Sequence, residues 1–266
     1  FFNLNKKDNT KYLFLLFVLF ILFTLVLFRY LPSYLNTVCP YLEKPKFSET
    51  NSFSQIDTYE VEKDEEYPPL GIKITIKNVK IYDIKIDCIG TTTFVEYQHD
   101  EIKFLEKTIK YLPFTLRNYS HSLIIGSGAG VDVVRSVLTG NAKVTSVEIN
   151  PLIINRVNKI SAKDPVINIY NHDSVKLVID EARNFVSKSS DKYDLIYIPN
   201  TKRWGGTGVS SYALLENYLY TEEAFRTYFE HLKEDGILAM EDRTWFILRY
   251  IETVISVMKK LNIDTT

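Results

Sequence analysis

Cysteine is scarce in this chain of 266 residues: there are two, Cys39 and Cys88. They lie far apart and fit no metal-ligand spacing, which excludes a disulfide-stapled scaffold and a zinc module as classes. They read as two ordinary reduced thiols. The four histidines, His99, His121, His172 and His231, are just as scattered, so no metal is expected. Ten glycines and nine prolines are too few for collagen-like or low-complexity chains. Charge of one sign is also lacking, since 32 basic residues face 33 acidic ones for a net charge of -1. No broad positive field exists to collect a polyanion, so a nucleic-acid partner is not expected and a small-molecule partner is. What the chain does have is 45% apolar residues, enough to bury a core.

The longest apolar run comes first. From Tyr12 to Phe28 there is no charge, and Thr24 is the lone hydroxyl within a stretch of Leu, Phe, Val and Ile. At about 1.5 Å per residue, Tyr12 to Leu31 spans roughly 30 Å, the thickness of a bilayer core, with Arg29 placed to snorkel. This predicts a transmembrane helix and a lipid bilayer as partner; a signal peptide or a buried core helix are the competing readings. Lys6, Lys7 and Lys11 before the run are matched by Arg29, Lys44 and Lys46 after it, so loop charge does not orient it. Residues 33 to 69, following Pro32, carry Pro40, Pro45, Pro68 and Pro69 and an acidic stretch from Glu60 to Glu66, and read as a tether.

Beyond the tether, Ile72, Ile74, Ile76, Val79, Ile81, Ile84, Ile86 and Cys88 alternate with polar neighbours up to Tyr97, as half-buried strands do. Ile102, Leu105, Ile109 and Leu112 then recur at helical spacing, predicting an amphipathic helix over 100–112 closed by Pro113. From Ser122 onward short apolar runs alternate with helical patterns: 123–125, 144–147, 175–179, 195–198 and 237–240, with a last helix over 245–261. That alternation predicts an α/β domain, a doubly wound, mostly parallel sheet with helices on both faces. The layout is 1–32 flank and membrane helix, 33–69 tether, 70–117 small β unit plus helix, and 118–266 nucleotide-binding domain, expected to lack its last strands.

The chemistry is expected at the first parallel strand. Leu123 to Ile125 runs into Gly126-Ser127-Gly128-Ala129-Gly130 and then a helix. Glycines let backbone approach a ligand, and the helix start offers free amides. Glu148 ends the next strand, followed by Ile149, where a carboxylate can accept both hydroxyls of a ribose. The third strand ends in Asp180-Glu181-Ala182, where an acid and adjacent backbone can meet an adenine edge. Glu181 is preferred over the competing Asp173 because it lies just beyond the strand. The turn reads G-x-G-x-G, not the G-x-G-x-x-G that seats a dinucleotide pyrophosphate, which favours an adenosyl sulfonium ligand over NAD. Tyr197, Trp204, Tyr212, Tyr218 and Tyr220 near the mouth can stack on a ligand or simply pack.

Val144-Thr145-Ser146-Val147-Glu148-Ile149-Asn150-Pro151, the glycine turn before it and Glu181-Ala182-Arg183-Asn184-Phe185 after it resemble spermidine synthase-like proteins. So do Asp100-Glu101-Ile102-Lys103-Phe104-Leu105-Glu106, Leu112-Pro113, and the run Glu216 to Phe225 with Gly236-Ile237-Leu238, the last resembling the family's membrane-anchored bacterial branch. The resemblance implies a methyltransferase-like fold, a polyamine aminopropyltransferase relationship, and S-adenosylmethionine or its decarboxylated form as donor, without a metal. It places Gly126, Ser127, Gly128, Gly130, Glu148 and Ile149 on the donor's methionine-derived part and ribose, and Glu181 and Ala182 on its adenine. The family's catalytic acids follow the fourth strand as D-x-x-D-P, where this chain has Pro199-Asn200-Thr201-Lys202. Lys202 and Arg203 would repel a cationic amine, and Phe104 replaces a tyrosine. Trp204 and Gly205 to Gly208 are expected to form a closing loop. The expectation is therefore a membrane-tethered group transferase with an unassigned base, acceptor and oligomeric state, its domain facing the cytoplasm where such donors are made. The alternative is a non-catalytic nucleotide sensor or scaffold.

Overall fold

The computed structural model describes residues 16–26, 44–52, 54–61, 66–67, 72–73, 80–88, 90–96, 100–161, 168–201, 218–242 and 244–263. The chain divides into two units, Phe1–Lys44 and Pro45–Thr266. In the first, residues 16–26 form a helix with apolar side chains exposed, among them Leu16, Phe17, Phe20 and Phe23. The Thr24 hydroxyl donates to the carbonyls of Phe20 (3.0 Å) and Ile21 (2.8 Å). The remainder of the expected span, 12–15 and 27–31, lies outside the described residues, and among the described residues no helix is long and apolar enough to cross a membrane.

The second unit opens with an antiparallel sheet of β1 (Phe47–Thr50), β2 (Gln55–Glu60), β5 (Ile81–Ile86) and β6 (Gly90–Val95), in that order, beside a two-stranded pair of β3 (Glu66–Tyr67) and β4 (Ile72–Lys73). The expected small β unit is present, but the tether reading needs correction, because β1, β2 and β3 fall within it. Those strands escaped the pattern because β2 buries Asp57 and Thr58 beside Ile56 instead of alternating. The β5 to β6 turn holds Asp87 and Cys88 at positive φ (49° and 63°). Cys88 is disulfide-bonded, which corrects the expectation of reduced thiols; Cys39 lies outside the described residues.

The expected helix over 100–112 is instead two 3₁₀ segments, Asp100–Lys107 and Ile109–Tyr111. Ile102 and Leu105 are buried as expected, but Ile109 and Leu112 are exposed. Pro113 does not close a helix; it sits in the first turn of α1 (Leu112–Thr115), where its missing N–H has no intrahelical role.

The chain then winds the parallel sheet: β7 (Ser122–Ile125), α2 (Val131–Leu138), β8 (Val144–Glu148), α3 (Pro151–Ser161), β9 (Val175–Ile179), α4 (Ala182–Lys188), β10 (Tyr193–Ile198), α5 (Glu222–His231), β11 (Leu232–Met240) and α6 (Thr244–Lys260). The order β11-β10-β7-β8-β9 is all parallel. All five expected strands are there. Alternate residues serve opposite layers: Ile124, Leu195 and Tyr197 join a core that includes Ile56, Ile84 and Phe94 of the antiparallel sheet, while Leu123, Ile125, Ile196 and Ile198 pack with Phe225, Tyr228 and Tyr250. The strand order reverses between β7 and β10, so the crevice beyond their carboxyl ends is where a ligand is expected. Gly126 follows β7 there, and Pro199 follows β10.

Candidate functional site

Every residue of β7 is buried, and the chain leaves it through Gly126, Gly128 and Gly130 at φ 70°, 56° and 96°. A Cβ at Gly128 would collide with the Thr92 side chain, and one at Gly130 would sit 2.6 Å from Ile169 Cγ2. These glycines therefore serve packing as well as conformation. The Tyr170 hydroxyl donates to the Gly128 carbonyl (2.7 Å) beside Ser127 Oγ (3.0 Å), and burial raises its pKa.

The turn's amides are already engaged. Gly126 N and Ser127 N donate to the Val147 carbonyl (2.8 and 3.1 Å), Gly130 N to the Ser127 carbonyl (3.0 Å), Gly128 N to Glu148 Oε2 (2.8 Å) and Ala129 N to Thr92 Oγ1 (2.8 Å). The amides expected to stay free are those of the following helix's first turn, which begins at Val131 beyond these five.

Glu148, 6% exposed at the end of β8, accepts on both oxygens, from Gly128 N and from Asn150 N (2.8 Å). Asn150 is fixed in turn: its Nδ2 donates to Ser54 Oγ (2.8 Å), and its Oδ1 accepts from Asn51 Nδ2 and Leu152 N (both 3.0 Å). The link between β1 and β2 thus holds the end of β8, a role the sequence did not disclose. Glu181 caps α4, accepting from Arg183 N (3.0 Å) and Asn184 N (2.8 Å). Asp180 accepts from Glu181 N (2.7 Å) and Asn184 Nδ2 (3.1 Å).

A cavity of about 240 Å³ lies over the turn. Of the expected residues, Gly126, Ser127, Gly128, Glu148, Ile149, Glu181 and Ala182 line it. Gly130 and Asp173 do not; Gly130 faces Ile169 and Tyr170. Sequence reasoning missed Thr91, Thr92 and Thr93, which arrive from the other sheet, and Asp132 and Arg135, one turn apart on α2. That i, i+3 pair directly after a glycine turn is the signal that would have found them. Pro199, Asn200 and Thr201 form the facing wall, with Thr201 Oγ1 3.0 Å from the Tyr220 hydroxyl.

Four acids on the lining, Asp132, Glu148, Asp180 and Glu181, outnumber the cations Lys110 and Arg135. Arg135 Nη1 pairs with Asp132 Oδ1 at 2.5 Å, and Lys110 Nζ with Glu241 Oε1 at 2.6 Å. Glu241 Oε2 also accepts from the Tyr197 hydroxyl (3.1 Å). Tyr197 packs on Phe114 and Tyr220 stacks on Tyr250, so both serve packing. Lys202, Arg203, Trp204, the glycines of 205–208, Tyr212 and Glu216 lie outside the described residues. Among the described residues, no group of three or more His, Cys, Asp or Glu is placed to hold a metal ion.

The model of the spermine/spermidine synthase domain matches residues 101–265. The chain belongs to that family. The polyamine aminopropyltransferase of Thermotoga petrophila is 26% identical over 212 residues, covering 77% of this chain and 61% of the relative. That of Thermotoga neapolitana is 28% identical over 173 residues, covering 62% and 53%. The chain thus spans little more than half the length of these relatives. Two spermidine synthase crystal structures share the fold at 22% identity, each covering 82% of this chain and 64% of theirs. One, complexed with the transition-state analogue AdoDATO, has a TM-score of 0.52; the other, from Thermotoga maritima, has 0.50.

Proposed function

We propose that the cavity over Gly126 to Gly130 binds an adenosyl sulfonium nucleotide, S-adenosylmethionine or its decarboxylated form, and that the chain transfers a group from it to a small acceptor. The family uses the decarboxylated form as aminopropyl donor. One observation carries the reading: a glycine turn whose five amides are taken, closed by the Glu148 carboxylate, on a lining richer in acids than in cations. Such a wall attracts a sulfonium, and its excess of acids opposes a pyrophosphate. Glu148 accepts ribose hydroxyls beside its two amides, since each carboxylate oxygen takes more than one hydrogen bond.

In the transfer, the acceptor's lone pair attacks the carbon beside the sulfonium, the S–C bond breaks, and a neutral thioether leaves. An amine acceptor must first lose a proton. Pro199, Asn200 and Thr201 offer no carboxylate for this, and Glu241 is bound to Lys110 and Tyr197. That wall favours a second reading, a nucleotide sensor or scaffold without turnover. Incubation with decarboxylated S-adenosylmethionine and putrescine, with methylthioadenosine quantified, tests putrescine as the acceptor, and release with any other acceptor would decide for transfer over the sensor. Our reading expects no robust putrescine-dependent release, because a general base contributes roughly 100- to 10,000-fold. Release at a rate typical of the family would overturn it.

Membrane attachment through residues 12–31, as in the family's anchored branch, is part of the proposal. It is supported by the uncharged run and by a helix whose single hydroxyl bonds its own carbonyls. Release of the intact chain by carbonate would contradict it. The cytoplasmic side is proposed because the donors are made there, whereas the bridge at Cys88 belongs to an oxidising compartment. Alkylation in intact cells decides: labelling without reductant supports the cytoplasm, and labelling only after reduction excludes it.

A further inference from the structure

Arg135 is 1% exposed on α2, yet its guanidinium is only half used. Nη1 donates to Asp132 Oδ1, while Nε and Nη2, both buried, have no hydrogen-bond partner among the described residues. These two nitrogens form one edge of the planar fork, with parallel N–H groups at the spacing of a carboxylate's oxygens. A buried charged donor without an acceptor is costly, and two on one edge ask for a bidentate anion. Arg156 supplies the contrast. It is 2% exposed, bonds Glu49 through Nη2 (2.7 Å), leaves one buried nitrogen, Nε, unpartnered and does not line the cavity. Arg135 does line it, with Glu148 and the glycine turn.

We propose that the Nε and Nη2 edge of Arg135 is a carboxylate subsite of the nucleotide cavity, so that the bound ligands include a carboxylate beside the sulfonium. The inference rests on the nucleotide reading above and departs from the family's donor, which has lost that carboxylate. A phosphate suits the fork less well here, because the surrounding acids oppose a dianion. A zwitterion suits both, its cation facing Glu148 and Asp180 and its carboxylate facing Arg135. The carboxylate comes either from intact S-adenosylmethionine or from an amino-acid-like acceptor.

Calorimetry on the full chain tells these sources apart. Methylthioadenosine, which has no carboxylate, sets the reference; if it does not bind, the nucleotide reading fails and this inference falls with it. If the donor supplies the group, S-adenosylmethionine binds about 10-fold or more tightly than its decarboxylated form. Arg135→Lys, which keeps the charge but loses the fork, then brings the two within a few-fold. If the acceptor supplies it, the donors bind alike, and the chain saturated with methylthioadenosine binds 4-aminobutyrate in preference to putrescine, a preference that Arg135→Lys removes. Melting curves check that the variant folds; if it does not, the parent's preferences decide alone. Methylthioadenosine binding with indifference to carboxylate in both arms overturns the subsite and leaves the nucleotide reading standing.

Discussion

Glutamine at position 148 separates the two duties of Glu148. Its carboxylate, 6% exposed, accepts two backbone amides at 2.8 Å. Alanine would strand both donors at about 1 to 3 kcal/mol each, a loss of roughly 2 to 6 kcal/mol that is a large share of a domain's stability and would obscure any binding effect. Glu148→Gln keeps the shape and one acceptor while turning an NH₂ toward the other amide, so it costs about 1 to 3 kcal/mol. In the bound state the variant also loses one charged acceptor for a ribose hydroxyl, worth about 1.5 to 3 kcal/mol, or roughly 10- to 150-fold in Kd. Urea unfolding measures the first quantity, and calorimetry with methylthioadenosine and decarboxylated S-adenosylmethionine measures the second. The cationic ligand should lose more than the neutral one, because only it also loses attraction to the charge. Unchanged affinity for both ligands, alongside the lowered stability, would refute the assignment of Glu148 to the ribose.

Gly128→Ala should destabilise more than Gly140→Ala: both sit at positive φ, about 1 to 3 kcal/mol of strain, but only the Gly128 Cβ meets Thr92 while Gly140 has nothing within 4 Å. Equal melting temperatures would contradict that packing. Glu181→Ala removes the cap from two amides of α4 and should lower stability by about 1 to 2 kcal/mol in urea unfolding, and weaken adenosine binding. His121 is held down to about 4 by burial and then by the Lys143 charge, its Nε2 2.9 Å from Thr145 Oγ1. The unfolded chain takes that proton near pH 6.5 and the folded one only near 4. Stability present above pH 6.5 is therefore lost as pH falls through this window, by roughly 2 to 3 kcal/mol, and His121→Gln should flatten the dependence seen by denaturation at pH 7 and 5.

The parallel sheet was legible because its central strands β7 and β10 are buried on both faces and so carry short apolar runs, with strand ends marked by Gly126 and by the acids of 148 and 180–181. The antiparallel sheet was only half legible. β5 was found by alternation, but β6 buries three successive residues, Thr93 to Val95, and β2 buries Asp57 and Thr58, and a strand whose inward residues are polar has no hydrophobic period to find. The 3₁₀ turns at 100–111 carry nearly the apolar spacing of an α-helix, so periodicity alone could not separate them. At the site, Glu148 and Glu181 were located by their place at strand ends. Their amide partners were not, because hydrogen bonds such as Gly128 to Glu148 and Ala129 to Thr92 join residues 20 and 37 apart. Arg135 was missed because a helical Arg–Asp pair ordinarily reads as a solvated surface pair, whereas this one is buried.

The central claim is that this turn holds a sulfonium nucleotide and not a dinucleotide. The most direct measurement is calorimetry of the full chain with S-adenosylmethionine, its decarboxylated form and NAD in parallel. Saturable binding of at least one sulfonium nucleotide, weakened by Glu148→Gln, is expected, with no heat from NAD. Saturable NAD binding with neither sulfonium nucleotide bound would contradict it.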